Sequence, residues 1–294
     1  MIRRFLLIPH LKIHNANAMS SPYTIGFPAI TAWLGAVHLL QRKLHQNNFS
    51  EVKFFGTAIS CHEFNLQTYK GYGDYVYSII GTANPLNKDG SRPAFIEEAR
   101  CHLEASLLIE YKGLDPDYEE DFKNLINQQL LKMKFAGGDV LSVKPVSTTT
   151  AIEDEPSSIK EVLKKLMLGY VIIERRDLMQ KSMQEGRNAL EAILDHLKIM
   201  HRSTKNDKDE VIWTSSKKEA GWLVPIAVGF QGISELGQAK NQRDLDTPHR
   251  FAESVITLGE FTMPYRIEKL DDILWQYNVI QNLYLCQTNL NLTK

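Results

Sequence analysis

The spacing of apolar residues in the first half of the chain changes several times between a strand pattern and a helical pattern. Residues 3–14 form a nearly continuous apolar stretch, which predicts a first strand. A helix is predicted to begin near Pro28, because apolar residues recur at helical spacing after it and proline is tolerated in a first helical turn. β-Favouring residues predict a second strand over 51–66, and clean alternation predicts a third over 99–111.

The alternation in the third strand separates a core face from a polar face. The residues predicted to face the core are Cys101, Leu103, Ala105, Leu107 and Ile109, and those predicted to point away are Arg100, His102, Glu104 and Ser106. A helix with an acidic first turn is predicted over 116–134, ended by Gly137-Gly138 and followed by a last strand over 139–146. The order β-α-β-β-α-β predicts an α+β fold with a ferredoxin-like core, the arrangement that RNA-recognition modules also use.

Longer patterns divide the chain into three regions. Residues 1–146 are predicted to form the ferredoxin-like RNA-binding core, residues 147–219 a helical insertion with linkers, and residues 220–294 a C-terminal region that packs on the core. Helical patterns cover residues 158–167, 174–201 and 270–277, and residues 202–219 read as a charged linker.

An excursion of unusual length lies between the second and third strands of the core. It covers about residues 68–98, far more than an ordinary hairpin loop. Aromatic and β-branched residues between Tyr72 and Ile80 predict a strand that leads outward. The turn-forming segments Asn84-Pro85, Lys88-Asp89-Gly90 and Pro93 predict a bent tip.

Charge and composition narrow the class of protein. The 294 residues carry a formal net charge of −1, so any binding of nucleic acid has to rely on a local patch. Three cysteines cannot form a closed disulfide framework, and reduced thiols suit the cytoplasm. No apolar run approaches the roughly 20 residues that span a bilayer, and the apolar run after Arg4 is too short for a signal peptide. The chain is therefore predicted to be cytoplasmic, with no membrane partner.

Signatures of enzymes and metal sites are absent from the sequence. It contains no glycine-rich nucleotide motif, no HExxH and no GxSxG. Cys61-His62 and Cys101-His102 lie on strands, where adjacent side chains point to opposite faces, so neither dipeptide is predicted to hold zinc. No catalytic residue, metal or cofactor is therefore predicted. A ribonuclease that uses His38 or His14 as general acid or base is the enzymatic alternative.

Features suited to RNA are better defined. Asn15, Asn17, Ser20 and Ser21 follow the first strand, and their amides and hydroxyls can bond phosphates, sugars or base edges. The excursion combines aromatic residues, on which bases stack, with Lys88 and Arg92 near its tip. Arg100 and His102 add polar groups on the third strand, and Gly137-Gly138 would allow a phosphate to approach the backbone closely. These features together predict a surface that binds single-stranded RNA.

Several long blocks resemble one known family. They are IHNANAMSSPYTIGFPAITAWLGAVHLLQRK, NPLNKDGSRPAFIEEARCHLEASLL, AGGDVL, GWLVPI, RDLDTPHRFAESVITLGEF and DDILW. In this order they are similar to the second Csy subunit of the type I-F CRISPR surveillance complex, a Cas-five-like member of the repeat-associated RNA-binding superfamily. The blocks run from residue 13 to residue 275, and residues 146–219 carry no match.

The resemblance implies a non-catalytic role in antiviral defence. Proteins of this family pair with the large first Csy subunit and hold the 5′ handle of CRISPR RNA, and the complex recognises target DNA. A thumb-like excursion contacts the Csy backbone subunit. The thumb would include Asn87, Lys88 and Arg92, while Arg42, Asn15–Ser21 and Gly137-Gly138 fall on blocks around the RNA-binding face. A repeat-specific, metal-independent endoribonuclease and a purely structural adaptor remain the alternatives.

Overall fold

A computed structural model describes residues 1–81, 86–92, 98–242 and 244–289. The first half contains β1 (Ile2–Asn17), β2 (Met19–Ser21), β3 (Thr24–Ile25), α1 (Ile30–His45), β4 (Lys53–Leu66), β5 (Thr68–Tyr69), β6 (Ser78–Ile79), β7 (Arg100–Lys112), α2 (Glu119–Leu130), β8 (Lys134–Phe135) and β9 (Gly138–Ser142). The second half contains β10 (Ser147–Ile152), α3 (Pro156–Lys164), β11 (Tyr170–Glu174), α4 (Arg176–Gln184), α5 (Ala189–Leu197), β12 (Ile199–Lys205), β13 (Val211–Lys217), β14 (Trp222–Gly232), β15 (Ala252–Thr262), β16 (Gln276–Ile280) and β17 (Leu283–Gln287). The fold is thus α+β, as predicted.

One antiparallel sheet organises the molecule. Its strand order is β16-β17-β14-β15-β11-β4-β7-β1-β9-β8, and β10 pairs with the first half of β1. The strands β4, β7, β1 and β9 come from the first half of the chain, and β11 connects them to β15. The C-terminal strands therefore extend the same sheet that the N-terminal strands begin.

Helices α1 and α2 cover one face of this sheet. α1 buries Ile30, Trp33, Leu34, Val37 and Leu44, the stripe that its sequence predicts, and α2 buries Phe122, Ile126 and Leu130. The predicted core residues of β7, from Cys101 to Ile109, are all buried against them. The main core thus lies between the sheet and these two helices, stabilised by roughly 25 cal/mol for each Å² of apolar surface removed from water.

The other face is covered only in part. α3 and residues 267–274 pack on Phe5, Leu7 and Leu108 in a second apolar cluster. α4 and α5 pack on Leu258 in a third. Along the remaining ends of β1, β4 and β7 this face carries polar side chains, which form part of the candidate site.

Several predicted elements differ from the structure. α2 ends at Leu130, and Gly137 lies in the tight turn between β8 and β9 instead of ending a helix. Ala136 and Gly137 both have positive φ (48° and 76°), the backbone of a two-residue hairpin turn. The predicted outward strand at 72–80 is wrong apart from Ser78–Ile79, which pairs with β5. Asn84, Pro85 and Pro93 of the predicted tip lie outside the described residues.

The second half also corrects the prediction. Residues 174–201 contain two helices, because the chain turns at Gly186 and Asn188 caps α5. The segment 202–219, predicted as a linker, belongs largely to the hairpin of β12 and β13. The predicted helix at 270–277 is a single 3-10 turn, Leu270–Asp272, followed by β16. Short apolar runs of this kind mislead because their length does not distinguish a buried strand from a helical turn.

The three cysteines, Cys61, Cys101 and Cys286, are buried and unpaired with one another. Burial raises the pKa of each thiol to about 12, so the thiolate is disfavoured. The predicted place of Cys101 in the core is confirmed. Within the described part of the chain, no helix combines the length and apolarity needed to cross a membrane.

Candidate functional site

Two β-bulges in β1 turn polar residues onto the uncovered face of the sheet. The pairing of β1 with β7 shifts between Ile8 and Leu11 and again between Ile13 and Ala16. His10 and Asn15 sit in these bulges with positive φ, 51° and 59°. Each bulge adds one residue to β1, so Ile8 and Leu11 face the same core although they are three positions apart, as do Ile13 and Ala16. His10 and His14 lie on the opposite side of the sheet.

These residues join others on β4 and β7 to form what we call the histidine face: His10, Lys12, His14, His62, His102, Glu104 and Ser106. The rings of His10 and His62 stack with centroids 4.5 Å apart, and those of His14 and His102 stack at 4.2 Å. His10 Nδ1 lies 2.5 Å from Glu104 Oε1, and His62 Nε2 lies 2.6 Å from Ser106 Oγ. The face is therefore an ordered polar surface on three adjacent strands.

The charges of the histidine face depend on burial and on its single carboxylate. Burial lowers the pKa of His62 and of His102, and the neighbouring His14 lowers that of His102 further. Burial also acts to raise the pKa of Glu104, but its bonds to His10 and the charge of Lys12 outweigh this and hold the pKa low. His62 and His102 therefore favour the neutral ring, while Glu104 favours the carboxylate.

A second feature brings three predicted residues together at the start of α1. A cavity of about 380 Å³, the α1 cavity, is lined by Asn17, Ser20, Lys134 and Gly137 and by one side of the segment 29–39, where most of the lining residues are small. Asn17 is tied to the β8–β9 turn by a backbone bond to the Ala136 carbonyl at 2.8 Å. Its side-chain oxygen accepts from the Met19 N–H at 2.9 Å, which turns the amide nitrogen away from that bond.

The α1 cavity suits an anion. No side chain caps the N-terminus of α1 and no acidic residue lies in its first turn, so its positive end is not neutralised locally. The small residues Ala29, Ala32 and Gly35 allow a ligand to approach this side of the helix closely. Lys134 adds a cation at the rim, where its exposed pair with Asp139 is only weakly stabilising.

Other predicted residues have structural roles that the sequence did not reveal. Ser21 is buried, and its hydroxyl bonds Thr24 Oγ1 at 2.7 Å within the β2–β3 hairpin. A side chain at Gly138 would come within 2.8 Å of the β1 backbone, so this glycine allows close strand packing. Arg100 is held by Glu98 and by the Asn15 carbonyl. The Asn15 N–H donates to His102 Nδ1 at 3.0 Å.

The remaining predicted residues lie apart from the α1 cavity. Arg42 is near the C-terminal end of α1, twelve residues beyond Ile30 and so about 18 Å along the helix. Asn87, Lys88 and Arg92 are exposed in a turn that Asn87 closes through bonds to Ser91. The structure therefore places the predicted residues in at least three separate groups.

Sequence reasoning missed Lys134, His10, Lys12 and His62. The sequence pattern places Lys134 at the end of a helix, although the residue begins β8. The alternation His10-Lys12-His14 was a usable signal for a polar strand face, but the bulges that orient it are not visible in one sequence. Among the residues that the structure describes, no group of three or more His, Cys, Asp or Glu side chains could hold a metal ion.

Comparison with known proteins identifies the family. Residues 6–286 match the family described as CRISPR-associated protein (Cas_Csy2). A similar protein is the CRISPR-associated protein Csy2 of Pseudomonas aeruginosa (strain UCBPP-PA14), 33% identical over 300 residues that cover 93% of this chain and 91% of the relative. The family match includes the histidine face and almost all of the main sheet. The chain belongs to the Csy2 family of CRISPR-associated proteins, subunits of the type I-F Csy complex.

Proposed function

We propose that this protein is a non-catalytic, cytoplasmic subunit that holds the 5′ handle of CRISPR RNA together with the large first Csy subunit. Through the complex it would support recognition of target DNA. The observation that carries the proposal is the α1 cavity, where Asn17, Ser20, Gly137 and Lys134 meet beside the first turns of α1, a helix whose N-terminus has no side-chain cap. Family membership supplies the assembly, and this cavity supplies a place for an RNA phosphate.

The physical basis is a local concentration of donors in a protein without net positive charge. The Asn17 amide nitrogen can donate to phosphate oxygens, and Lys134 adds a full charge. The Ser20 hydroxyl also faces the cavity, although it already bonds Thr24 Oγ1 at 2.8 Å, and the positive end of the α1 dipole favours an anion nearby. The histidine face, on the uncovered side of the sheet, offers further ring donors and Lys12. A formal net charge of −1 gives little general attraction for RNA, so we expect the isolated chain to bind RNA weakly.

Replacing Lys134 with alanine tests the α1 cavity. We expect the variant, assembled with the large Csy subunit, to bind handle RNA more weakly at low salt. Because the variant neutralises one RNA phosphate fewer, the slope of log affinity against log salt should fall by about 0.7. Fluorescence anisotropy of labelled handle RNA across a salt series measures both quantities.

The matched control is Lys132→Ala. Lys132 is also exposed and lies two residues away, but it does not line the cavity. Its slope should equal that of the wild type. Equal slopes for both variants and the wild type would mean that Lys134 does not neutralise an RNA phosphate.

The fold is proposed to be ferredoxin-like in its first 146 residues. The element order β1-α1-β4-β7-α2-β9 and the sheet order β4-β7-β1-β9 support this, since both match the four-stranded arrangement with two helices on one face. The predicted division of the chain at residues 146 and 219 stays a prediction.

The excursion at 68–98 is proposed to be the thumb that contacts the Csy backbone subunit. In its described part, Tyr72, Tyr75 and Tyr77 are largely exposed, and Lys88 and Arg92 carry exposed positive charge. Exposed aromatic and cationic side chains suit contact with either RNA or protein.

Replacing Lys88 and Arg92 together with alanine tests the thumb. We expect less backbone subunit to co-purify with the complex. We also expect a flatter salt dependence of assembly, by about 0.7 for each single-strand phosphate that is no longer neutralised. The double variant of Arg202 and Lys208 removes the same charges from the exposed β12–β13 region and should assemble normally. Unchanged assembly of the Lys88/Arg92 variant at every salt concentration would exclude the turn as a contact.

The endoribonuclease alternative rests on His14, whose ring lies on the histidine face against His102. His38 is exposed on α1, a different element. Incubation of the purified protein with repeat RNA in the absence of metal separates the two functions. A discrete cleavage product that His14→Ala abolishes would establish the enzyme.

A further inference from the structure

An open pocket lined by aromatic rings lies beside the histidine face. Its volume is about 350 Å³, and its aromatic wall consists of Phe27, Phe64, Tyr170, Trp222, Phe261 and the imidazole of His62. The rings of Trp222 and Tyr170 meet edge to face with centroids 5.4 Å apart, and Trp222 lies 5.3 Å from Phe261. The Trp222 side chain is nevertheless 55% exposed. The rings of the pocket are thus packed against one another, while much of the Trp222 indole stays in contact with solvent.

We infer that this aromatic pocket binds one unstacked nucleobase of single-stranded RNA. The inference rests on the proposed function and adds to it a site for a base, in addition to the α1 cavity for a phosphate. Aromatic side chains bind bases of single strands by stacking, whatever the sequence, because every base has a flat π-face. The phenol of Tyr170 adds a polar group that can meet a base edge.

The position of the pocket favours RNA over an apolar side chain of a partner protein. The short β2–β3 hairpin contributes Ser20 to the α1 cavity, and the residues at and just after its end, Ile25–Phe27, line the aromatic pocket. His62 belongs both to the pocket and to the histidine face. A strand of RNA that crosses the hairpin would therefore meet the phosphate donors of the α1 cavity on one side and the aromatic pocket on the other.

Abasic substitution of the RNA, combined with Trp222→Ala, tests the inference. The probe is fluorescein-labelled 5′ handle RNA of the CRISPR repeat, bound to the full-length chain purified with the large Csy subunit. Loss of one stacked base weakens binding by about 5- to 150-fold. We expect Trp222→Ala to weaken binding within this range. An abasic site at one position should weaken the wild type by a similar factor and leave Trp222→Ala unaffected.

Two variants separate the role of the ring from general damage. Trp222→Phe keeps an aromatic face and should retain most of the affinity. Trp213→Ala removes another exposed tryptophan, on β13 and outside the pocket, and should leave affinity unchanged.

Each remaining outcome overturns the inference in a different way. If RNA binds but no abasic position couples to Trp222, while Lys134→Ala still lowers the salt slope, the base pocket is wrong and the proposed function stands. If Trp222→Ala weakens association with the large subunit without RNA, the pocket holds a protein side chain. If the wild-type complex binds no handle RNA, the proposed function and the base pocket both fail.

Discussion

Trp275→Ala is expected to lower the free energy of unfolding by about 3–5 kcal/mol, the usual cost of truncating a fully buried tryptophan. Trp275 has no exposed surface, and its indole N–H donates to the Ile172 carbonyl at 3.0 Å. Its backbone exchanges two hydrogen bonds with Thr57, both 3.0 Å long. The substitution therefore leaves a cavity and also removes a hydrogen-bond donor from a carbonyl on β11. Urea denaturation followed by circular dichroism measures the change.

Two further variants divide this effect into its parts. Trp275→Phe keeps much of the ring volume but removes the N–H donor, so we expect a smaller loss of about 1–3 kcal/mol. Trp213→Ala removes a tryptophan that is 67% exposed and should change stability by no more than about 0.5 kcal/mol. A loss below about 1 kcal/mol for Trp275→Ala would show that the core does not depend on this ring.

Glu174 is expected to make stability fall as the pH rises from about 4.5 to 7. The carboxyl is buried, and burial raises its pKa to about 7, although the charge of Arg176 and the N–H of Thr288 act against this rise. The folded state therefore binds the proton more tightly than the unfolded state. Its stabilising contribution is complete below the unfolded pKa and is lost as the pH passes through the folded pKa. A difference of about 2.5 pKa units corresponds to about 3 kcal/mol.

Glu174→Gln isolates this contribution. The amide oxygen can still accept from the Thr288 N–H, which lies 3.1 Å from the carboxylate in the wild type, but it no longer titrates. We expect the difference in unfolding free energy between variant and wild type to change by about 3 kcal/mol in favour of the variant between pH 4.5 and 7. For the control Glu210→Gln, on the exposed β12–β13 hairpin, the unfolding free energy should change with pH in the same way as that of the wild type. A constant difference for Glu174→Gln would mean that folding does not raise the pKa of this carboxyl.

The regular parts of the first half could be predicted from the sequence because local pattern and burial agree there. The stripe of α1 and the alternation of β7 each follow a single period, and both proved correct. β1 is also predictable as a strand, but its bulges are not. They are set by pairing with β7, so Ile8 and Leu11 face the same core at a spacing that does not fit a regular strand.

The second half was less predictable because its strands depend on pairing and burial that the local sequence does not show. Strand β11 has only five residues, and although Tyr170, Val171, Ile172 and Ile173 favour a strand, so short an apolar run does not distinguish a buried strand from a helical segment. Its pairing with β4 and β15 decides the outcome. β12 and β13 are exposed on both sides, so burial imposes no alternation on them. A period can reveal an element only when one of its faces is buried.

For the candidate site, the sequence predicted several of the residues but not which of them lie together. Asn17, Ser20 and Gly137 were chosen for their chemistry, and the structure brings them to one cavity because the β8–β9 turn bonds to the end of β1. The aromatic pocket escaped prediction because Tyr170, Trp222 and Phe261 come from three strands that are far apart in the sequence, although they are neighbours in the sheet. Sheet topology, which one sequence does not reveal, assembles both.

The position of β11 also matters while the protein is being made. β4 has β7 on one side and β11 on the other, yet β11 is translated long after the strands it completes. Until residues 170–174 leave the ribosome, the N-terminal strands present an open edge, which is a template for pairing with other chains. During synthesis, the backbone most exposed to wrong pairing is therefore the edge of β4, which lies in the middle of the finished sheet.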